Sequence, residues 1–184
     1  MTTESNRQLG PVAIFDRDDT LLVDRHYMFD PQDIEWVPGA MEVISLLRDK
    51  GFRICVATNQ SGIARGFFTE AQMHRFHDAM QRQLVSAGGV IDGFFHCPHH
   101  PEGTVAEYAV VCRCRKPAPG LVEQIDRTFP MDRARSFLIG DKPRDVQSAE
   151  AFGIAGYLYK GGSLLDRVTE ILELTTAHQR CDIP

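Results

Sequence analysis

Asp16-Arg17-Asp18-Asp19-Thr20 puts two carboxylates, Asp16 and Asp18, two residues apart just where the apolar run Val12-Ala13-Ile14-Phe15 ends. Carboxylates so placed can share a hard divalent cation such as Mg²⁺. With the cation present, one is held ionised and can attack as a nucleophile while its neighbour moves a proton. Taken alone, such a pair is most often a solvated acidic turn. Asp141, after Phe137-Leu138-Ile139-Gly140, adds a third carboxylate in the same kind of setting. An all-acidic pocket would repel a phosphate, so donors and cations are needed beside it. Thr58-Asn59-Gln60-Ser61-Gly62 offers hydroxyl, amide and backbone N–H donors in a glycine-bearing turn. Arg115-Lys116 and Lys142 offer charge, the first as a fork and the lysines as compact points. Together these residues suit phosphoryl transfer, in which positioning and charge neutralisation are the catalysis.

A second constellation involves sulfur. Cys97-x-His99, then after residues 100–111 Cys112-x-Cys114, supplies three thiolates and one imidazole, the ligand set of a closed structural Zn²⁺ site. The chain has five cysteines, an odd number, and three of them crowd beside histidines. That pattern reads as a metal site in a reducing compartment rather than as a disulfide framework. Cys55 reads as a small core residue and Cys181 as a tail residue. The zinc loop, about 97–115, is polar and rich in turn residues, so a bound metal would order it and place Arg115 and Lys116.

These residues need elements to position them. Short apolar runs alternate with amphipathic segments, which predicts an α/β domain on a parallel sheet. Strands are expected at 12–15, 52–57, 90–96, 136–139 and 154–159. Helices are expected at 38–50, from Thr69 to the Gly88-Gly89 pair, and at 119–129, 143–152 and 164–174, with a frayed tail beyond. Ala40, Val43, Ile44 and Leu47 mark one helix face, and Thr69 with Gln72 fits a capping box. In a parallel sheet the C-terminal strand ends form one edge where ligands bind. Asp16 and Asp18, Thr58 and Asn59, and Asp141 all follow strands, so the sheet gathers them there.

The sequence is 184 residues, one domain's length, with 20 Lys and Arg against 25 Asp and Glu and a net charge of −5. The basic excess of a nucleic-acid binder is absent. No apolar run has the length of a membrane span, and Met1 to Gln8 has no signal-like apolar stretch. A cytoplasmic protein, a single domain over 1–184 and a monomer are the expectations.

The ordered set Asp16-x-Asp18-x-Thr20, Thr58, Lys116 and Gly140-Asp141 with Asp145 resembles the four motifs of the haloacid dehalogenase superfamily of phosphatases. Four stretches resemble the D-glycero-D-manno-heptose 1,7-bisphosphate 7-phosphatase family more closely. They are residues 58–66, Cys97-Pro98-His99-His100-Pro101, Cys112-Arg113-Cys114-Arg115-Lys116-Pro117 and Gly140-Asp141-Lys142. The resemblance implies a Rossmann-like parallel sheet flanked by helices, with no separate cap domain. Loops 20–37, 60–68 and 97–115 would then select the substrate, a small sugar bisphosphate. It implies that Asp16 forms an aspartyl-phosphate and that Asp18 serves as acid and then base. Mg²⁺ would be held by Asp16, the Asp18 carbonyl and Asp141, with Asp145 outside them. Thr58, Asn59 and Lys116 would hold the phosphoryl oxygens, and Asp24 to Tyr27, Gln60, Ser61, Arg115 and Lys142 would meet the sugar bisphosphate. The product would feed nucleotide-activated heptose for surface polysaccharide. Asp19 stands where that family usually has glycine, at a backbone position suited to positive φ. A histidinol-phosphate phosphatase shares the motifs, though the long 99–112 gap counts against it. A phosphate-binding module without turnover is the other alternative, and a nucleic-acid 3′-phosphatase is disfavoured by the charge.

Overall fold

The computed structural model describes residues 9–181, with side chains through residue 174. The opening segment 1–8 and the side chain of Cys181 therefore lie outside the described residues. Five strands form one sheet: β1 (Val12–Phe15), β2 (Arg53–Asn59), β3 (Gly93–Cys97), β4 (Phe137–Gly140) and β5 (Ala155–Leu158). Their order is β3-β2-β1-β4-β5, and every pairing is parallel. The helices are α1 (Ala40–Asp49), α2 (Ser61–Ala64), α3 (Glu70–Ser86), α4 (Gly120–Thr128), α5 (Pro143–Phe152) and α6 (Leu164–Cys181).

The sheet is buried on both faces, which is why its strands read as unbroken apolar runs. Ala13 and Phe15 of β1 face a core built with α1, α3 and α6, through Ile44, Phe76, Met80 and Val168. Val12 and Ile14 face the opposite core, closed by Leu121, Val122 and Ile125 of α4 and Ala149 of α5. The capping box is present: Thr69 Oγ1 accepts from Gln72 N at 3.2 Å, and Gln72 Oε1 accepts from Thr69 N at 2.9 Å. The start of α1 differs from expectation, with Gly39 rather than Pro38 at its edge. Gly39 has φ +80°, and a Cβ there would lie 2.7 Å from the Leu165 backbone N of α6. Only glycine allows that approach.

The expected third strand begins three residues late. The Asp92 carboxylate accepts the Ile54 N–H at 2.8 Å, and the Gln81 side chain clamps both backbone groups of Ile91. Residues 90–92 are thus a tied loop before β3 starts. The strand instead runs on to Cys97 and delivers it to the zinc constellation. The second strand likewise continues past Ala57, so that Thr58 and Asn59 belong to β2 itself, paired with His96 and Cys97. Helix α6 extends to Cys181, beyond the expected end at Leu174. Among the described residues no helix is long and apolar enough to cross a membrane, and no separate cap domain stands over the strand ends.

Candidate active site

The strand order reverses between β1 and β4, and a crevice at such a switch point is where open α/β sheets bind ligands. The Asp16 backbone N–H donates to Ile139 O at 2.9 Å, so the first residue after β1 lies beside the end of β4. Asp16, Asp141 and Asp145 there bring carboxylate oxygens within 4.8 Å of one another. Gly140 is needed for this convergence, because a Cβ at that position would lie 2.5 Å from the Asp145 carboxyl carbon.

Lys116 is the buried cation among these acids. Its Nζ lies 2.9 Å from Asp16 Oδ1, 2.6 Å from Asp145 Oδ1 and 2.6 Å from the Ala57 carbonyl. Burial opposes its charge, but Asp16 and Asp145 outweigh that, and its pKa stands above the usual lysine value. Asp145 Oδ2 accepts from Lys142 N at 3.0 Å. Both of its oxygens are thus engaged, which fits a place outside the inner ligands of an ion. Burial raises the Asp16 carboxyl to about 6, with Asp145 and Asp18 adding to the rise and Lys116 opposing it. Asp141 is also raised, again first by burial, while contact with the Lys142 ammonium opposes the shift. Crowded, desolvated carboxyls of this kind are the donor set a hard divalent cation fits, since the ion supplies the missing positive charge.

The remaining expected residues sort into three groups. Asp18, Asp24, Tyr27, Asn59, Gln60 and Ser61 line one cleft of about 220 Å³. Thr58 is buried, its Oγ1 accepting from Gln60 Nε2 at 2.7 Å. Arg115 and Lys142 lie apart from that cleft. Arg115 donates to His99 O at 3.2 Å in a neighbouring depression, and Lys142 pairs with Asp141. Asn59 grips the Lys116 backbone from both ends of its amide, at 3.0 Å each, leaving one amide proton for a ligand. Asp19 adopts φ +55°, as a glycine replacement must, and accepts from Asp24 N at 3.1 Å. Its added charge faces Lys142 at 3.8 Å.

Sequence reasoning missed three residues here. Arg17 is buried between the two acids, His77 touches it from α3, and Arg144 from the first turn of α5 lines the cleft. Arg144 had a legible signal, three residues after a strand-end carboxylate; Arg17 and His77 had none.

Cys97, His99, Cys112 and Cys114 also meet. The three sulfurs lie 3.1–3.4 Å apart, and His99 Nδ1 is 3.3 Å from Cys114 Sγ and 3.7 Å from Cys97 Sγ. A proton shared between the Cys97 and Cys114 sulfurs pushes Cys97 up and pulls Cys114 down to about 5. A thiolate already favoured in a compact N/S tetrahedron fits zinc, whose ligand edges at Zn–S of about 2.3 Å would span roughly 3.7 Å. His100 points elsewhere, towards Arg65 and the Glu102 N–H.

A five-stranded parallel sheet with an acidic loop at its switch point, and a lysine buried against it, defines a phosphoric monoester hydrolase of the haloacid dehalogenase class. Comparison with known proteins agrees: residues 113–179 match the HAD-hydrolase-like family model. A Rhodopseudomonas palustris D-glycero-beta-D-manno-heptose-1,7-bisphosphate 7-phosphatase is 38% identical over 172 residues, covering 94% of this chain and 94% of that protein. The enzyme of the same description from Escherichia coli K12 is 40% identical over 144 residues, 78% of this chain and 75% of that one. The crystal structure of the B. bronchiseptica D,D-heptose 1,7-bisphosphate phosphatase with magnesium and phosphate superposes with a TM-score of 0.73. Its identity is 35%, over 87% of this chain and 86% of that one. The chain belongs to the D-glycero-beta-D-manno-heptose-1,7-bisphosphate 7-phosphatase family.

Proposed function

We propose that this chain, acting as a single-domain monomer in the cytoplasm, removes the 7-phosphate of D-glycero-D-manno-heptose 1,7-bisphosphate. The observation that carries the reading is Asp16, a buried carboxylate at the switch point, held 2.9 Å from Lys116 in a chain 38% identical to such an enzyme over nearly its whole length. Asp16 and Asp141, with the Asp18 carbonyl, would hold Mg²⁺; a bound magnesium ion neutralises charge on the carboxylates and the phosphoryl oxygens. Asp16 attacks phosphorus, forming the Asp16–phosphorus bond as the bond to the sugar oxygen breaks, and Asp18 gives that oxygen its proton. Water then attacks phosphorus, its proton passes to Asp18, and inorganic phosphate leaves Asp16 free. Lys116, Thr58 and the spare Asn59 amide proton hold the transferring oxygens. Asp24, Tyr27, Gln60 and Ser61, joined by Arg144, form the sugar side in the cleft, and Arg115 and Lys142, which lie outside it, would meet the part of the substrate that extends beyond it. The free thiols of the zinc constellation support a reducing compartment. Mg²⁺-dependent phosphate release from the heptose bisphosphate, histidinol phosphate and a 3′-phosphorylated oligonucleotide tests this. The expected result is preference for the sugar, leaving its 1-phosphate. Preference for either other ester, or no turnover of the bisphosphate, would overturn it.

Zinc has a structural part in the same proposal. Residues 98–119, between β3 and α4, carry no strand or helix, yet they hold Arg115 and Lys116 in place. Cys112→Ser is expected to lower kcat/KM by about tenfold or more and to lower the melting temperature. Equal kinetics and melting in zinc-free protein would contradict it.

A further inference from the structure

Arg17, the residue between the two acids of the site, is the largest fully buried side chain among the described residues, at 1% exposure. Among the described residues one carboxylate, that of Asp18, pairs with its side chain. Arg17 Nε donates to Asp18 Oδ1 at 2.9 Å and Nη2 to Asp18 Oδ2 at 3.2 Å, a two-pronged grip that fixes the plane of the carboxylate. The guanidinium is itself held on several sides. Nη2 donates to Gln60 Oε1 at 3.0 Å, Nη1 lies 3.3 Å from His77 Nε2, and the Phe76 ring sits 4.9 Å below. Gln60 completes the ring by donating to Asp18 Oδ2 at 2.9 Å.

Stability does not account for this arrangement. A buried ion pair rarely repays its desolvation, and apolar groups of the same volume often serve the fold better. His77, buried and stacked on Phe94, is neutral: burial first, then the Arg17 charge, holds its pKa well below the usual value. If its Nε2 accepts from Arg17, its Nδ1 carries the proton, and that atom is buried without a partner. An orphaned donor costs free energy. What the arrangement does secure is the direction of a carboxylate that is 26% exposed towards the cleft. Asp18 Oδ2 accepts from both Arg17 and Gln60, whereas Oδ1 accepts from Arg17 Nε and retains a lone pair, so proton exchange with a ligand remains open there.

We infer that Arg17, backed by His77, is the positioning residue for Asp18, setting the carboxylate that exchanges protons with the departing oxygen and the incoming water. The inference rests on the acid–base role given to Asp18 above. A misplacement of order 1 Å at such a group can cost about 100-fold in rate. Arg17→Lys keeps the charge and loses the fork.

The test is a double-mutant cycle with Asp18→Asn, measured on p-nitrophenyl phosphate with Mg²⁺. Its leaving group needs no proton, so the first half of the reaction survives in the Asp18→Asn enzyme, and the residual kcat, limited by loss of the base in the second half, is read at high enzyme concentration. Arg17→Lys is expected to lower kcat about 30-fold with KM within twofold. In the Asp18→Asn background the same change is expected to have less than about a twofold effect, because Arg17 acts through the missing carboxylate. A loss that persists in full in that background, or a raised KM with kcat intact, would overturn the inference. Should Arg17→Lys fail to melt cooperatively, His77→Gln carries the same cycle. It is expected to lower kcat about fivefold in the native background and not at all beside Asp18→Asn; an undiminished effect there overturns the inference equally. Failure of the wild-type enzyme on the heptose bisphosphate alone would strike the substrate reading and leave this cycle standing.

Discussion

Asp16→Asn is expected to lower kcat by about 10⁴-fold or more while shifting the melting temperature by no more than a few degrees. The two halves of that outcome have separate causes. The amide has no nucleophilic lone pair comparable with a carboxylate oxygen, so no covalent intermediate forms. The fold loses little, because the carboxyl is already disfavoured as an ion by burial and by Asp145 and Asp18. The amide oxygen can still accept from Lys116, which retains Asp145 at 2.6 Å. Steady-state assay and calorimetry on one preparation check both halves. A variant with tenfold reduced activity, or one that does not fold, would show that Asp16 is something other than the nucleophile.

Lys116→Met is expected to damage both properties. Lys116 is the ammonium group that holds Asp16 and Asp145 together, and both of those side chains are at most 5% exposed. Its loss leaves buried carboxylates without a partner, a change that typically costs about 3–5 kcal/mol of stability. In the proposed mechanism it also removes the fixed charge that meets the transferring oxygens, a loss expected to cost about 10³-fold in kcat. Urea denaturation and turnover at saturating substrate measure the two effects. Wild-type stability with normal kcat would contradict the placement of Lys116 at the centre of the site.

Much of this arrangement is legible in the chain before any coordinates. Helix α5 ends where its pattern says, at Pro143 and Phe152, because proline can start a helix and Gly153 at φ +92° stops it. Strand β1 matches residue for residue, since an unbroken apolar run has few other uses. The convergence of Asp16 with Asp141 follows from the parallel topology, and Asp19 at φ +55° shows the tolerance expected of aspartate.

What stayed hidden depends on long-range pairing. The four residues of α2 carry no periodic signal, being a single turn after β2. The late start of β3 is set by Asp92 and Gln81, whose side chains bind Ile54 and Ile91 across the fold. Arg17 is the sharpest case. An arginine between acids reads as part of a solvated turn, and only the packing of Phe76, His77 and Gln60 around it shows that it is buried. Asn59 looks like a ligand donor in sequence, whereas much of its amide is spent on the Lys116 backbone.

The proposed mechanism turns on a covalent step through Asp16. Acid quench of the enzyme during turnover of a bisphosphate substrate, followed by peptide mass analysis, tests it most directly. The expected result is one added phosphoryl group on the peptide containing Asp16, labile to hydroxylamine and absent from Asp16→Asn. A phosphoryl group on another residue, or none in an enzyme that is turning over, would contradict the account.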